Sequence, residues 1–305
     1  MSVPTIPAVS LRQLQYVVAV AEHGGFRRAA EACHVAQPSL SAQVLLAERL
    51  LGVRVFERDR RHVRLSPAGE AIVEQARRVL VAAGDLGDIA RQFCDPFRGT
   101  LRLGVIPTVG PYLLPEIMPA LGRAYPNLTL LWTEERTAML MHALGDGGLD
   151  GAIVALEGGI GDCEYAELGR DPFVLAASPQ HPLMKRRRAA TLEELESATV
   201  LLLDDGHCFR DQVLTLCAKA CANQLNFRAT SLSTLVQVAS AGTGVTLLPA
   251  LALAVENRRS QLRVRKFAVP VPARTLALVW RKGSASGMAL TRVAATIRAG
   301  LKPAA

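Results

Sequence analysis

The chain of 305 residues lacks any apolar run long enough to cross a bilayer. Its longest run in the C-terminal half, Val245 to Val255, is interrupted by Thr246 and Pro249 and falls short of the roughly 20 residues a membrane helix needs. Met1 to Ser10 holds no basic residue and no extended apolar core, so it does not read as a secretion signal. Collagen-like and low-complexity stretches are absent too, and a composition with 50% hydrophobic and 20% charged residues excludes a disordered chain. These absences place the chain in the cytoplasm with no membrane partner. Thiols stay reduced there, so the six cysteines (Cys33, Cys94, Cys163, Cys208, Cys217 and Cys221) do not form a structural disulfide framework. The length itself predicts two or three domains.

Lysine is missing from residues 1–98, where 13 arginines face ten acids for a net of +3, against +8 for the whole chain. The surplus is spread along the sequence, so net charge alone does not point to nucleic acid and local pattern must decide. From Leu11, the residues Leu14, Val17, Val18 and Ala21 recur at helical spacing until Gly24-Gly25 stop the helix. A short Ala-rich helix follows from Phe26 to about Cys33. A third starts near Gln37-Pro38, where proline suits the first turn because its missing N–H would be unpaired there anyway, and runs to about Leu51. Two helices joined by a tight turn, the second opening on polar residues, suit a recognition helix in the DNA major groove. Val53 to Asp59 and His62 to Ser66 alternate like two strands around Arg60-Arg61, a wing. Residues 26–66 hold eight arginines against four acids, which suits a phosphate backbone, although a solvated basic hairpin would look the same. Ser66-Pro67 is an N-cap followed by proline. Beyond it Ile72, Ala76, Val79, Ala83, Leu86, Ala90 and Phe93 alternate steps of four and three, a coiled-coil seam that predicts a homodimer.

Residues 11–95 resemble the winged helix-turn-helix and linker helix of LysR-type transcriptional regulators. The resemblance rests on Leu14-Gln15-Tyr16-Val17, Phe26-Arg27-Arg28-Ala29-Ala30, Gln37-Pro38-Ser39-Leu40-Ser41, Leu51-Gly52-Val53, Phe56-Glu57-Arg58 and Ser66-Pro67-Ala68-Gly69. It implies contacts with double-stranded promoter DNA from Arg27, Arg28, Gln37, Pro38, Ser39, Ser41, Gln43, Arg58, Arg60 and Arg61. One stretch departs: Leu45-Leu46 stand where members of the family usually carry basic residues, which would reduce phosphate contacts.

From Leu101 onward strand-like runs (101–106, 128–132, 151–156, 173–177, 200–203, 245–248 and 276–280) alternate with helical ones such as 111–125 and 138–144. That reads as α/β with mostly parallel sheets, in which ligands sit beyond the carboxyl ends of strands. Pro107-Thr108-Val109-Gly110 is such a loop. The resemblance implies an α/β fold with an N-terminal winged helix-turn-helix, a long linker helix, and a regulatory domain of two subdomains like those of periplasmic binding proteins. The expected boundaries are 1–66, 67–98 and 99–305, with one subdomain at about 99–170 plus 276–305 and the other at about 171–275.

Cys208 is flanked by His207 and Arg210 near a helix start, where a thiolate, the reactive form, is stabilised. It is therefore a candidate nucleophile. Were 208–217 helical, the Cα atoms of Cys208 and Cys217 would stand roughly 13 Å apart, beyond the ~7 Å a disulfide tolerates. A bond between them would then require local refolding. Cys217 and Cys221, four apart, are a rival pair, and a buried apolar role is open for each thiol. The spacing of Cys208, Cys217 and Cys221 does not suit zinc.

Ile106 to Pro115, Asp205-Gly206-His207-Cys208 through Cys217, Phe227 to Leu232 and Thr246 to Leu251 resemble the peroxide-sensing branch of the LysR-type regulators. That resemblance implies that Cys208 attacks hydrogen peroxide and Cys217 resolves it. It implies further that Thr108 and His207 hold the peroxide, with Thr137 a further candidate, and that Arg210 and Asp211 stabilise the reduced loop. Asn226 departs from a common histidine. No metal or cofactor is implied; the partners implied are a homodimer assembling to a homotetramer, RNA polymerase, and a thiol reductant such as glutaredoxin or thioredoxin. Cys33 is expected in a core and Cys163 in a loop. Two rival functions remain: a LysR-type regulator answering an organic co-inducer between its subdomains, and a thiol peroxidase.

Overall fold

The computed structural model describes residues 9–58, 63–92, 97–196, 198–217 and 224–301. The chain divides into two compact units, Met1–Ala90 and Arg91–Ala305.

In the first unit, α1 (Leu11–His23), α2 (Phe26–Ala32) and α3 (Gln37–Leu51) are followed by a hairpin of β1 (Phe56–Arg58) and β2 (Val63–Leu65), then by the long α4 (Pro67–Gln92). Local chemistry sets the boundaries. Ser10 and Gln13 cap α1 reciprocally, and Gly24 and Gly52 end α1 and α3 in the left-handed conformation that glycine adopts without strain. Ser66 Oγ accepts from Gly69 N at 2.9 Å, the cap that the Ser66-Pro67 pair predicts. Gly69 is required by close approach: a Cβ there would lie 2.1 Å from the Val55 carbonyl oxygen. The core is Val17, Val20, Leu40, Val44, Val55, Phe56 and Val73, with half-buried Cys33 against it. Glu48 is buried because its carboxylate accepts from Val55 N and Phe56 N, at 2.8 and 3.0 Å, tying α3 to the wing. Farther along α4, Val79 is exposed and Leu86 is 69% exposed. Phe93 and Cys94 lie outside the described residues, as does the side chain of Ala90.

The second unit runs β3 (Gly99–Val105), α5 (Gly110–Ala124), β4 (Leu128–Glu134), α6 (Thr137–Gly145), β5 (Gly151–Ala155), β6 (Cys163–Ala177), β7 (Val200–Leu203), α7 (Cys208–Cys217), β8 (Gln224–Ala229), α8 (Leu232–Ser240), β9 (Val245–Pro249), α9 (Leu253–Glu256), β10 (Arg263–Lys266), β11 (Ala273–Arg281) and α10 (Gly287–Gly300). The strands hydrogen-bond in the order β4-β3-β5-β11-β6-β9-β7-β8, with β10 on β6. This corrects the expectation of mostly parallel sheets. β3 is parallel to β4 and β5, and β7 to β8 and β9, while β6 and β11 run antiparallel to every strand they pair with. The reason is topological: the chain goes out along β6 and returns along β11, so the two long strands that join the parallel groups must oppose each other. Cys163 is corrected as well, since it opens β6 rather than lying in a loop.

Two apolar cores result. One gathers Leu103, Val105, Leu113, Ile153, Leu278 and Leu290, the other Phe173, Leu175, Leu202, Leu235 and Leu247. Tyr112 of α5 packs into the second core and donates to Glu256 Oε1 of α9 at 2.7 Å.

Candidate functional site

Three loops that leave the carboxyl ends of parallel strands meet at one place. The β3 loop brings Thr108, the β4 loop brings Arg136 and Thr137, and the β7 loop brings Gly206, His207 and Cys208. With Ile106 and Pro107 they line an indentation of about 170 Å³, counting the part open to solvent. The side chains close over it, so it encloses no cavity of the roughly 300–1,000 Å³ found at ordinary small-molecule sites.

Cys208, a free thiol 8% exposed, is the first residue of α7 and packs into the first core. Phe209, the next residue, packs into the second core, edge-on to Phe173 at 5.3 Å. Any rearrangement of α7 therefore disturbs both cores. Gly206 takes a φ of +86°, and a Cβ there would come within 3.0 Å of the Arg136 guanidinium. Gly158 also lies close: a Cβ at that position would come within 3.1 Å of the Cys208 Cβ. Arg210 braces the turn into α7, donating to the Leu203 carbonyl at 3.0 Å and pairing with Asp205 at 3.0 Å. Asp211 is exposed in the first turn of α7, where a carboxylate favours the positive end of the helix dipole.

The polar groups of the pocket are poised. Burial, and next the positive charge of Arg136, hold the His207 imidazole below its ordinary value against a smaller opposing pull from Asp204, so it is neutral near pH 7. Thr108 Oγ1 accepts from Arg274 Nη1 at 2.7 Å, which leaves its own proton for a pocket molecule. Thr137 Oγ1 is buried and has no hydrogen-bond partner. Such an orphan hydroxyl costs about 1–3 kcal/mol unless something in the pocket satisfies it.

Sequence reading missed Arg274, Asp171, Arg136 and Gly158. Arg274 is 0% exposed; besides Thr108 it bonds Asp171 Oδ2 at 2.9 and 3.0 Å, and its guanidinium carbon lies 5.6 Å from the centre of the Phe209 ring. It thus links the Thr108 loop to α7. No local motif marks it, because Thr108 and Arg274 are 166 residues apart.

Among the residues expected at DNA, Arg27 and Arg28 are exposed on α2, Arg27 within 4.0 Å of Glu31. Gln37, Pro38 and Ser39 are exposed at the start of α3, while Ser41 and Gln43 are half-buried. The Gln43 carbonyl accepts from Gln13 Nε2 at 2.9 Å, leaving its amide hydrogens free to face outward. Arg60, Arg61 and the side chain of Arg58 lie outside the described residues. So do Cys221 and the side chains of Cys217 and Asn226.

The first unit is three helices and a hairpin wing, and the second is a mixed α/β unit with a buried thiol. Residues 11–70 match the model of the bacterial regulatory helix-turn-helix protein of the lysR family, and residues 95–302 match the LysR substrate binding domain. The chain belongs to the LysR family of DNA-binding transcriptional regulators. Its relatives narrow the assignment. It is 43% identical over 291 residues to the hydrogen peroxide-inducible genes activator of Pectobacterium carotovorum, covering 95% of this chain and 96% of the relative. It is 41% identical over 292 residues to the DNA-binding transcriptional dual regulator OxyR of Escherichia coli K12, covering 95% of each. A full-length OxyR structure from Pseudomonas aeruginosa superposes with a TM-score of 0.77 at 37% identity, covering 95% of this chain and 94% of that one. A hydrogen-peroxide-bound OxyR mutant from Corynebacterium glutamicum superposes at 0.65 and 32% identity, covering 97% and 93%. Within the LysR family, the chain belongs to the OxyR branch.

Proposed function

We propose that this chain is a promoter-binding redox switch that senses hydrogen peroxide through Cys208 and Cys217. The observation that carries the reading is the small pocket in which a buried free thiol meets Thr108, Thr137 and neutral His207. The Cys208 thiolate attacks one peroxide oxygen, the O–O bond breaks, and the departing hydroxide takes a proton to become water. Hydroxyl donors at Thr108 and Thr137 stabilise the charge developing on the oxygens, and His207 handles the proton. The Cys217 thiol then condenses with the Cys208 sulfenic acid, releasing a second water. In sum two thiols lose two electrons and two protons, and one peroxide becomes two waters.

α7 spans both cysteines, so in the helix their Cα atoms stand about 13 Å apart, against the ~7 Å limit for a disulfide. Bond formation must unwind part of α7, and since Cys208 packs into one core and Phe209 into the other, it carries the chemical event into the fold. The regulatory half works as two lobes, about 99–170 with 276–305 and about 171–275. The exposed Val79 and Leu86 on α4 support a homodimer through the linker helix. Pairs of dimers form the tetramer, RNA polymerase is the partner at the promoter, and glutaredoxin or thioredoxin restores the thiols in the cytoplasm. Each switching event consumes one peroxide, and the helix-turn-helix unit makes the role regulatory rather than enzymatic. Among the described residues no helix is long and apolar enough to cross a membrane, and no cluster of side chains offers a metal site.

The test is Cys208→Ser. Peroxide should no longer alter transcription from a responsive promoter, while DNA binding by the variant persists; an undiminished peroxide response would refute the mechanism.

A further inference from the structure

The exposed face of α3 is unusual for a surface that meets DNA. Leu40, Val44, Ala47 and Glu48 are buried against the rest of the unit. At 100° per residue, Pro38, Ser39, Ala42, Leu45, Leu46 and Arg49 fall within an arc of about 120° on the opposite side. All six are exposed, Leu45 by 38% and Leu46 by 41%. Before Arg49 in the last turn, this outward face carries no charge. Exposed arginines flank it instead: Arg27 and Arg28 on α2, Arg54 after α3 and Arg64 on β2.

That arrangement separates two tasks. Flanking guanidiniums complement phosphates, which position a protein on the duplex without reading sequence. Between Ser39 and Arg49, the side chains of Ala42, Leu45 and Leu46 have nothing to offer a phosphate or a base acceptor. What they match in a major groove is the thymine C5-methyl, the one apolar group on the base edges there. We infer that Leu45 and Leu46 are specificity-determining residues that read thymine methyl groups. Isolated exposed leucines are ordinary on protein surfaces. These two are adjacent, continue the line of Pro38 and Ala42, and occupy the side of the recognition helix turned away from the core.

The experiment removes the methyl and nothing else. A duplex selected from a random pool by the reduced full-length chain is resynthesised with deoxyuridine replacing each thymine in turn, and affinities are measured by fluorescence anisotropy. One or two thymines per half-site should lose about fourfold in affinity, the value of burying one methyl-sized group. Leu45→Ala and Leu46→Ala should each bind the thymine duplex with that same loss and lose the uracil penalty at the thymine its own leucine reads, and the double alanine variant should no longer distinguish uracil from thymine at any position. Both substitutions lie on an exposed helix face where alanine is a good helix former, and unchanged thermal unfolding confirms intact variants. The inference is overturned if no uracil substitution weakens wild-type binding, or if the full uracil penalty survives in the double alanine variant. It is equally overturned if Leu45→Lys or Leu46→Lys steepens the salt dependence by about 0.9 per added charge while the wild-type chain binds thymine and uracil duplexes alike, because the face then lies on phosphates.

Discussion

Replacing Thr137 by valine should make the protein more stable and less responsive at once. Thr137 opens α6 and is buried, and its hydroxyl oxygen has no hydrogen-bond partner. Valine keeps the branched shape and removes the unsatisfied group, so stability should rise by up to the ~1–3 kcal/mol such a group costs. For a unit of this size each kcal/mol moves the unfolding midpoint by roughly 2–4 °C, readable by calorimetry on the reduced chain. The rate of Cys208 oxidation should move the other way. A hydrogen bond to a charged group is worth about 1.5–3 kcal/mol, so losing the donor should slow the reaction roughly tenfold to a hundredfold. Stopped-flow measurement of thiol loss under excess peroxide gives that rate. A valine variant that is less stable and reacts at the wild-type rate would refute the reasoning, since the hydroxyl would then serve the fold rather than the peroxide.

Two further outcomes follow from the same pocket. His207 is held below its ordinary 6.5 by burial and Arg136, so the unfolded chain binds the extra proton more readily. Its contribution to stability is present above about pH 6.5 and is lost as pH falls toward the lowered folded value; urea titrations should show His207→Gln losing less stability than wild type on acidification across that window, and equal slopes would contradict the assignment. Arg274→Met should destabilise by about 3–5 kcal/mol, because it leaves the Asp171 carboxylate buried without its cation. Adding Asp171→Leu should restore most of that stability without restoring peroxide reactivity; full recovery of both would show that the pair serves the fold alone.

Legibility in the sequence followed the range of the interactions. Helix boundaries in the first unit were readable because Gly24, Gly52, Ser66 and Pro67 act on their own neighbours. The crossing of β6 and β11 was not, since nothing local shows that 163–177 pairs with 273–281. The first half of β6, with Glu164, Glu167 and Arg170, was likewise hidden by its polarity. Cys208 and His207 announce themselves as neighbours in sequence, and Thr108 and Thr137 entered through family resemblance. Arg274 and Asp171 hold the same pocket through contacts spanning 103 to 166 residues, beyond any motif. Glu194 and Arg265, a buried ion pair 71 residues apart at 2.7 Å, escaped notice for the same reason.

The central claim is that Cys208 is the reactive thiol and that its disulfide partner lies at the far end of α7. Peptide mapping by mass spectrometry after brief exposure to limited hydrogen peroxide tests both parts together. The account predicts a disulfide joining the Cys208 and Cys217 peptides, formed within one equivalent of peroxide and reversed by a thiol reductant. Cys208 remaining a free thiol, or pairing with a cysteine other than Cys217, would contradict it.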